Sequence, residues 1–213
     1  MKVSRTVWVR GKSGDHIKGL PINIMKSISE TINLVTVLHD GQYRKKTNIP
    51  YISHPFGVMT LLLKHGLKDE AILKTALLHD TLEDTEYTFN ALERDFGSDI
   101  ANYVKHLSED KSKSWEERKT HTINNITKIP KISQWVLIAD KVNNLEMNQL
   151  ELKKEKLNWN KFKKGEVYQE WYFKSIYREL MKGDKFSKHP LLEYYEELIL
   201  YIFDGKIDVI PEI

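Results

Sequence analysis

Hydrophobic positions recur at helical spacing along nearly the whole chain. Ile28, Ile32, Val35 and His39 follow one another at intervals of four, three and four, the repeat of a single helix face. That face stops near Asp40-Gly41, where a helix end is expected. Residues 41–53 hold Gly, Asn and Pro and predict a loop. Pro55 suits the first turn of a helix, which puts His54 at its N-cap and carries it to about His65. Residues 69–84 read as one helix, with Ile72, Ala76, His79 and Glu83 on one face and Leu73 and Leu77 beside them. Further helices are predicted over 89–96, 98–107, 115–126 and 132–150. Residues 167–181 and 191–203 are amphipathic, and Pro190 opens the second of these. No run of alternating β-branched residues appears, so the expected fold class is all-α, roughly nine to ten helices. With no internal repeat, one domain over 1–213 is expected, its only candidate boundary a lysine-rich loop.

Composition narrows the function. Thirty-three basic against 30 acidic residues leave a formal charge of +3, too small an excess to argue for a duplex-binding surface. There is no cysteine, which excludes disulfides, thiolate zinc sites and a cysteine nucleophile. The N-terminal MKVSRTVWVRGKSGDH has no apolar core of signal-peptide length, and the apolar stretch 198–203 is too short to span a bilayer. A soluble, cytoplasmic protein with no membrane partner is the expectation, and the pattern specifies no oligomeric state. Lys153, Lys154, Lys156, Lys161, Lys163 and Lys164 surround Trp159 and Phe162. Such a run is first a solvated loop and only second a pointer to an anionic ligand.

The chemistry concentrates in His79-Asp80-Thr81-Leu82-Glu83-Asp84. On a helix His79 pairs with Glu83 and Asp80 with Asp84, giving two stripes of ionisable groups that follow an apolar, inward-facing run. Asp140 shares a face with Val136, Asn144 and Met147 and is embedded in apolar sequence. An acid so placed needs a partner, because burying an unpaired carboxylate is costly. His54, between Pro50 and Pro55, offers a second imidazole. Two imidazoles and two carboxylates make a mixed nitrogen and oxygen site suited to Mn²⁺, Fe²⁺ or Zn²⁺. His39 shares the face of Ile32 and Val35. It is read as a buried, hydrogen-bonded histidine. His65, His106, His121 and His189 have no partner motif.

The order His54, His79-Asp80, Asp140 resembles the H…HD…D signature of the HD superfamily. The words His39-Asp40-Gly41-Gln42-Tyr43-Arg44-Lys45, Ile49-Pro50-Tyr51-Ile52-Ser53-His54-Pro55, Leu77 to Thr85, Phe96-Gly97 and Ala139-Asp140-Lys141-Val142-Asn143-Asn144 are similar to those of the hydrolase domain of RelA/SpoT-type alarmone enzymes. The resemblance covers about residues 39–145, with the helices of 166–204 expected to pack on that core. Trp115-Glu116-Glu117-Arg118-Lys119 and Trp171-Tyr172-Phe173 look like words of stand-alone small members. By this resemblance His54, His79, Asp80 and Asp140 hold Mn²⁺, and Glu83 and Asp84 orient and deprotonate the attacking water. It further implies that Arg44 lies against the nucleotide base with Lys45 its neighbour, and that Asn144 contacts the ribose region. The reaction implied is removal of the 3′-pyrophosphate from guanosine tetra- or pentaphosphate (ppGpp, pppGpp), giving GDP or GTP and pyrophosphate. At this length no synthetase domain is expected alongside.

Three positions depart from that pattern. Leu137 and Glu109 stand where lysines are common, and Asn143 where a histidine is usual, all expected near the substrate phosphates or base. Alternatives on the same fold are an adenosine alarmone or the 2′-phosphate of NADPH as substrate, and a nucleotide sensor without turnover. The intact Glu83-Asp84 pair argues against the sensor. Nucleic-acid binding is not expected.

Overall fold

Capping chemistry sets where several helices start. The computed structural model describes residues 25–45, 47–162, 164–182, 186, 188–203 and 211. The N-terminal stretch expected to lack a signal sequence, Lys163 of the lysine run and Asp204 at the expected last helix end lie outside the described residues. Helix α1 (Ile28–Leu38) opens on a capping box of Ser27 and Glu30, in which side chains satisfy amides that lack helical partners. Helix α2 (Ser53–Lys64) carries Pro55 in its first turn, and α3 (Glu70–Leu78) is capped by Asp69 through the amides of Ala71 and Ile72. The short α4 (Thr81–Asp84) follows. Helices α5 (Phe89–Phe96) and α6 (Ser98–Lys105) join at Gly97, whose φ of 85° is a conformation that favours glycine. Helix α7 (Trp115–Asn125) has a second capping box, Ser114 with Glu117. Then come α8 (Lys131–Lys153), a 3₁₀ turn at Trp159–Lys161, α9 (Gly165–Met181) and α10 (Pro190–Ile202), the last with proline at its start. Among the described residues no strand forms, and the only β contact is an isolated bridge of Tyr43 with Pro50.

The all-α expectation holds, with one internal correction. The helix predicted over 69–84 is broken at His79-Asp80, where Asp80 takes φ −98° and ψ −3°. His79 Nδ1 bonds the carbonyl of Ala76 at 2.8 Å and Thr81 Oγ1 that of Leu78 at 2.7 Å. Side chains thereby occupy carbonyls that an unbroken helix offers to the amides of Asp80 and Leu82. His54 also sits one residue inside α2, whose N-cap is Ile52, so it is not itself the cap.

Two apolar clusters meet at α3. Ile72, Leu73 and Ala76 join a core shared by α2, α8, α9 and α10, whereas Leu77 and Leu78 join a second core with Val35, Leu92, Phe96 and Val104. Helix α3 is therefore buried on all sides from Ile72 to Leu78, and its C-terminus delivers His79 to the interior. Helix α8 is buried without interruption from Ser133 to Ala139. A helix apolar all round belongs at the centre of a bundle, and α8 packs against α2, α3, α6 and α10. No helix among the described residues is long and apolar enough to cross a membrane.

Candidate metal centre

Three segments bring His54, His79, Asp80 and Asp140 together. The imidazoles of His54 and His79 are almost fully buried, at 3% and 4% exposure. Their Nε2 atoms stand 3.3 Å apart. Asp80 Oδ2 lies 2.9 Å from His79 Nε2 and 3.6 Å from His54 Nε2, and Asp140 Oδ1 lies 3.1 Å from His54 Nε2. Single ligand atoms of His54, His79 and Asp140 all fall within 4.8 Å of one another.

The outer nitrogens are committed elsewhere. His79 Nδ1 donates to the Ala76 carbonyl, and His54 Nδ1 to Asn143 Oδ1 at 2.8 Å. In neutral imidazoles this leaves both Nε2 lone pairs facing one another between carboxylates. Such an arrangement is satisfied by a proton or a cation, and the donor set suggests a divalent metal. Without metal the protonated form is favoured: burial lowers the pKa of His79, but the charge and hydrogen bond of Asp80, with Asp140, outweigh it and hold the ring at about 9. Burial raises Asp80 and Asp140, yet the imidazoles, and for Asp140 first the ammonium of Lys141, leave both well below the usual carboxylate range. Tyr51, which donates to Asp80 Oδ2 at 2.6 Å, is pushed far above its ordinary value by burial and then by Asp80.

Glu83 and Asp84 form the turn after the break, their amides bonded to the carbonyl of Asp80. Burial pushes Glu83 up; an amide of Glu109 opposes this, the charges of Glu109, Asp80 and Asp84 add to it, and the carboxyl rests at about 7. Lys111 binds Asp84 Oδ1 and the Glu83 carbonyl, each at 2.6 Å. Arg44, steadied by the bridge of Tyr43 with Pro50 and the bond of its amide to the Ile49 carbonyl, donates to Asn144 Oδ1 at 3.0 Å. Asn144 in turn donates to Asp140 Oδ1 at 2.6 Å. Lys45 is exposed at the rim, its ammonium 5.5 Å from the ring centre of Phe162. Every residue singled out from the sequence as a ligand, acid or nucleotide contact thus lines one cavity of about 410 Å³.

Sequence reasoning misplaced one neighbour, Asn143, and gave no role to two others, Tyr51 and Gly57. Asn143 was expected near substrate, but its amide supports His54, and Gly57 makes that approach possible because a Cβ there would stand 2.4 Å from Asn143 Nδ2. Tyr51 sits inside the quoted word before His54, three residues upstream, which is the signal that could have found it. Lys161 and Phe162 of the lysine run line the cavity, while Lys153, Lys154 and Lys156 are exposed. His39 is buried as expected, bonded to Gln42 at 2.8 Å and 5.0 Å from the Tyr51 ring.

Comparison with known proteins agrees with this geometry. The HD domain family matches residues 31–159. The chain belongs to that family. This HD domain is 39% identical over 120 residues to the Xenopus tropicalis guanosine-3′,5′-bis(diphosphate) 3′-pyrophosphohydrolase MESH1, covering 55% of this chain and 67% of that one. It is 35% identical over 137 residues to the GTP pyrophosphokinase of Streptomyces coelicolor, covering 62% of this chain but only 16% of that protein. Other MESH1 relatives are spanned over 61–66% of their length. Among solved structures, lmo0812 from Listeria monocytogenes superposes with a TM-score of 0.66 at 34% identity, covering 75% of this chain and 99% of that one. A metazoan ortholog of SpoT that hydrolyses ppGpp superposes with a TM-score of 0.65 at 28% identity, covering 82% and 93%. The HD domain is therefore homologous both to stand-alone MESH1 enzymes and to hydrolase domains of larger alarmone proteins.

Proposed function

We propose that this HD domain protein is a Mn²⁺-dependent phosphohydrolase that removes the 3′-pyrophosphate of guanosine tetra- or pentaphosphate, releasing GDP or GTP and pyrophosphate. The observation that carries the reading is the pair of buried Nε2 atoms 3.3 Å apart, each flanked by a carboxylate and each fixed from behind by a bond at Nδ1. In this reading His54, His79, Asp80 and Asp140 are the metal ligands. A divalent cation held by them supplies Lewis-acid activation of water and charge neutralisation at a phosphoryl oxygen. Glu83 takes the proton of the attacking water; a carboxyl at about 7 is matched to a base that works near neutral pH. Asp84, held by Lys111, orients that water. Arg44 lies along the base with Lys45 beside it, and Asn144 meets the ribose. The reading treats residues 1–213 as one domain, with α9 and α10 packed on the core and α9 lining the cavity through Gln169, Tyr172 and Phe173. Homology to the MESH1 enzymes supports the choice of substrate.

The test is turnover by purified protein with Mn²⁺ on guanosine tetraphosphate, an adenosine alarmone and NADPH. Release of pyrophosphate from the guanosine compound is expected to be fastest. Absence of that release with metal bound would overturn the substrate, and absence of metal uptake would overturn the site.

A further inference from the structure

The cavity has a second polar wall that the reaction above leaves unused. Arg118 and Lys119, adjacent on α7, both reach the carboxylate of Glu109, Nη1 to Oε2 at 2.7 Å and Nζ to Oε1 at 2.6 Å. All three side chains are less than one-fifth exposed, at 19%, 17% and 14%. Lys119 Nζ lies 4.8 Å from the ring centre of Tyr172, and Lys141 Nζ lies 5.3 Å from the same ring. Tyr172 thus lies between the α7 cations and the ammonium that touches Asp140 at 2.6 Å. A second link runs through Glu83, which lines the same cavity and whose carboxyl feels both the backbone amide and the charge of Glu109. The wall therefore begins where the metal cluster and the water-activating acid end.

Its hydrogen bonding is incomplete. Arg118 Nε and the Tyr172 hydroxyl are buried and have no partner. Buried donors are normally satisfied, and here both belong to residues lining an open cavity. Two cations against one carboxylate leave local positive charge, and two spare donors call for a ligand rich in acceptors. A phosphoryl group has that chemistry, and the guanidinium fork suits it. Positive charge on this wall comes from Arg118 and Lys119 of α7, since Leu137 and Glu109, which line the cavity beside them, carry none or the opposite sign.

We infer that Arg118, Lys119 and Tyr172 form the subsite for the outer phosphate of a pyrophosphoryl ester, so that the site prefers pyrophosphoryl to monophosphoryl substrates. The inference rests on the proposed hydrolysis at the metal cluster. Water oxygen bonds to the inner phosphorus, the bond from that phosphorus to the ribose 3′ oxygen breaks, the 3′ oxygen takes a proton, and the outer phosphate departs within the pyrophosphate product. Binding of the outer phosphate beside Glu83 would turn the inner phosphorus toward the attacking water.

Calorimetric titration of the Mn²⁺-loaded protein with inorganic pyrophosphate and with orthophosphate tests the subsite without turnover. Metal content is measured after each run and folding is followed by thermal melting. Wild type should bind pyrophosphate at least about tenfold more tightly than orthophosphate. Arg118→Ala and Lys119→Ala should each weaken pyrophosphate by about tenfold or more, orthophosphate by far less, and leave Glu109 one remaining cation. Arg118→Lys keeps the charge without the fork and should restore part of the loss. Unchanged pyrophosphate affinity in folded variants, or equal loss of both anions, overturns the subsite. Wild-type turnover of guanosine tetraphosphate with Arg118-independent pyrophosphate binding removes the subsite alone. Arg118-dependent binding without turnover removes the proposed reaction and leaves the subsite standing.

Discussion

His54 and His79 present the same nitrogen to the same point, yet the two regions that hold them are built differently. His79 is positioned by its own helix: α3 is buried on all sides, and the ring bonds a carbonyl three residues back. His54 is positioned from across the molecule, by an amide 89 residues away on α8 and a glycine in its own helix that lets that amide approach. The first arrangement survives changes elsewhere as long as α3 stays packed. The second depends on the register of α2 against α8, so it offers places where the affinity of the proposed metal site can be altered without touching a proposed ligand.

Perturbing each side separates them. His79→Ala removes a proposed ligand and should cost more than about 100-fold in metal affinity, beyond the upper range for residues that only support ligands, with turnover lost in parallel; metal titration and activity report both. Asn143→Ala should keep the fold and lower metal affinity by about 10- to 100-fold, whereas no side-chain substitution behind His79 can do the same because its support is backbone. Replacing a helical glycine with alanine ordinarily stabilises by about 0.5–1 kcal/mol. Gly57→Ala should do the reverse, destabilising by about 1–3 kcal/mol through overpacking, because the new Cβ would stand 2.4 Å from Asn143 Nδ2. Chemical denaturation should show that penalty shrinking in an Asn143→Ala background. A test that needs no substitution is pH. His79 in the metal-free protein is raised from 6.5 to about 9, so its stabilising charge is fully present below 6.5 and lost as pH rises through 9. Melting temperature of the metal-free form should fall over that window. Metal affinity should rise by about tenfold per pH unit there, with one proton released, and a His79→Ala variant should lose that proton.

Much of this was legible before the fold was known, and particular residues show why some was not. The cluster of His79, Asp80, Glu83 and Asp84 stands out because four ionisable groups follow an inward-facing apolar run. The break at His79-Asp80 does not stand out, because helical spacing continues through it and the side-chain bonds to Ala76 and Leu78 that interrupt the helix leave no periodic trace. Asn143 was visible as a departure from the family pattern, but its partner is distant in sequence, so its role was misplaced. The lysine run divides: Lys161 and Phe162 face the cavity and Lys153, Lys154 and Lys156 face solvent, a distinction that composition does not encode.

The sequence alone determined the all-helical class, the segments that would be buried, and the residue types capable of holding a cation, because helix period, capping and the cost of burying charge are local properties of the chain. Tertiary packing decided that His54 and His79 meet at 3.3 Å, that Asn143 and Gly57 hold one of them, and that Arg118, Lys119 and Tyr172 share the same cavity. Those contacts join residues from different helices, and the distances between them are set by how whole helices pack.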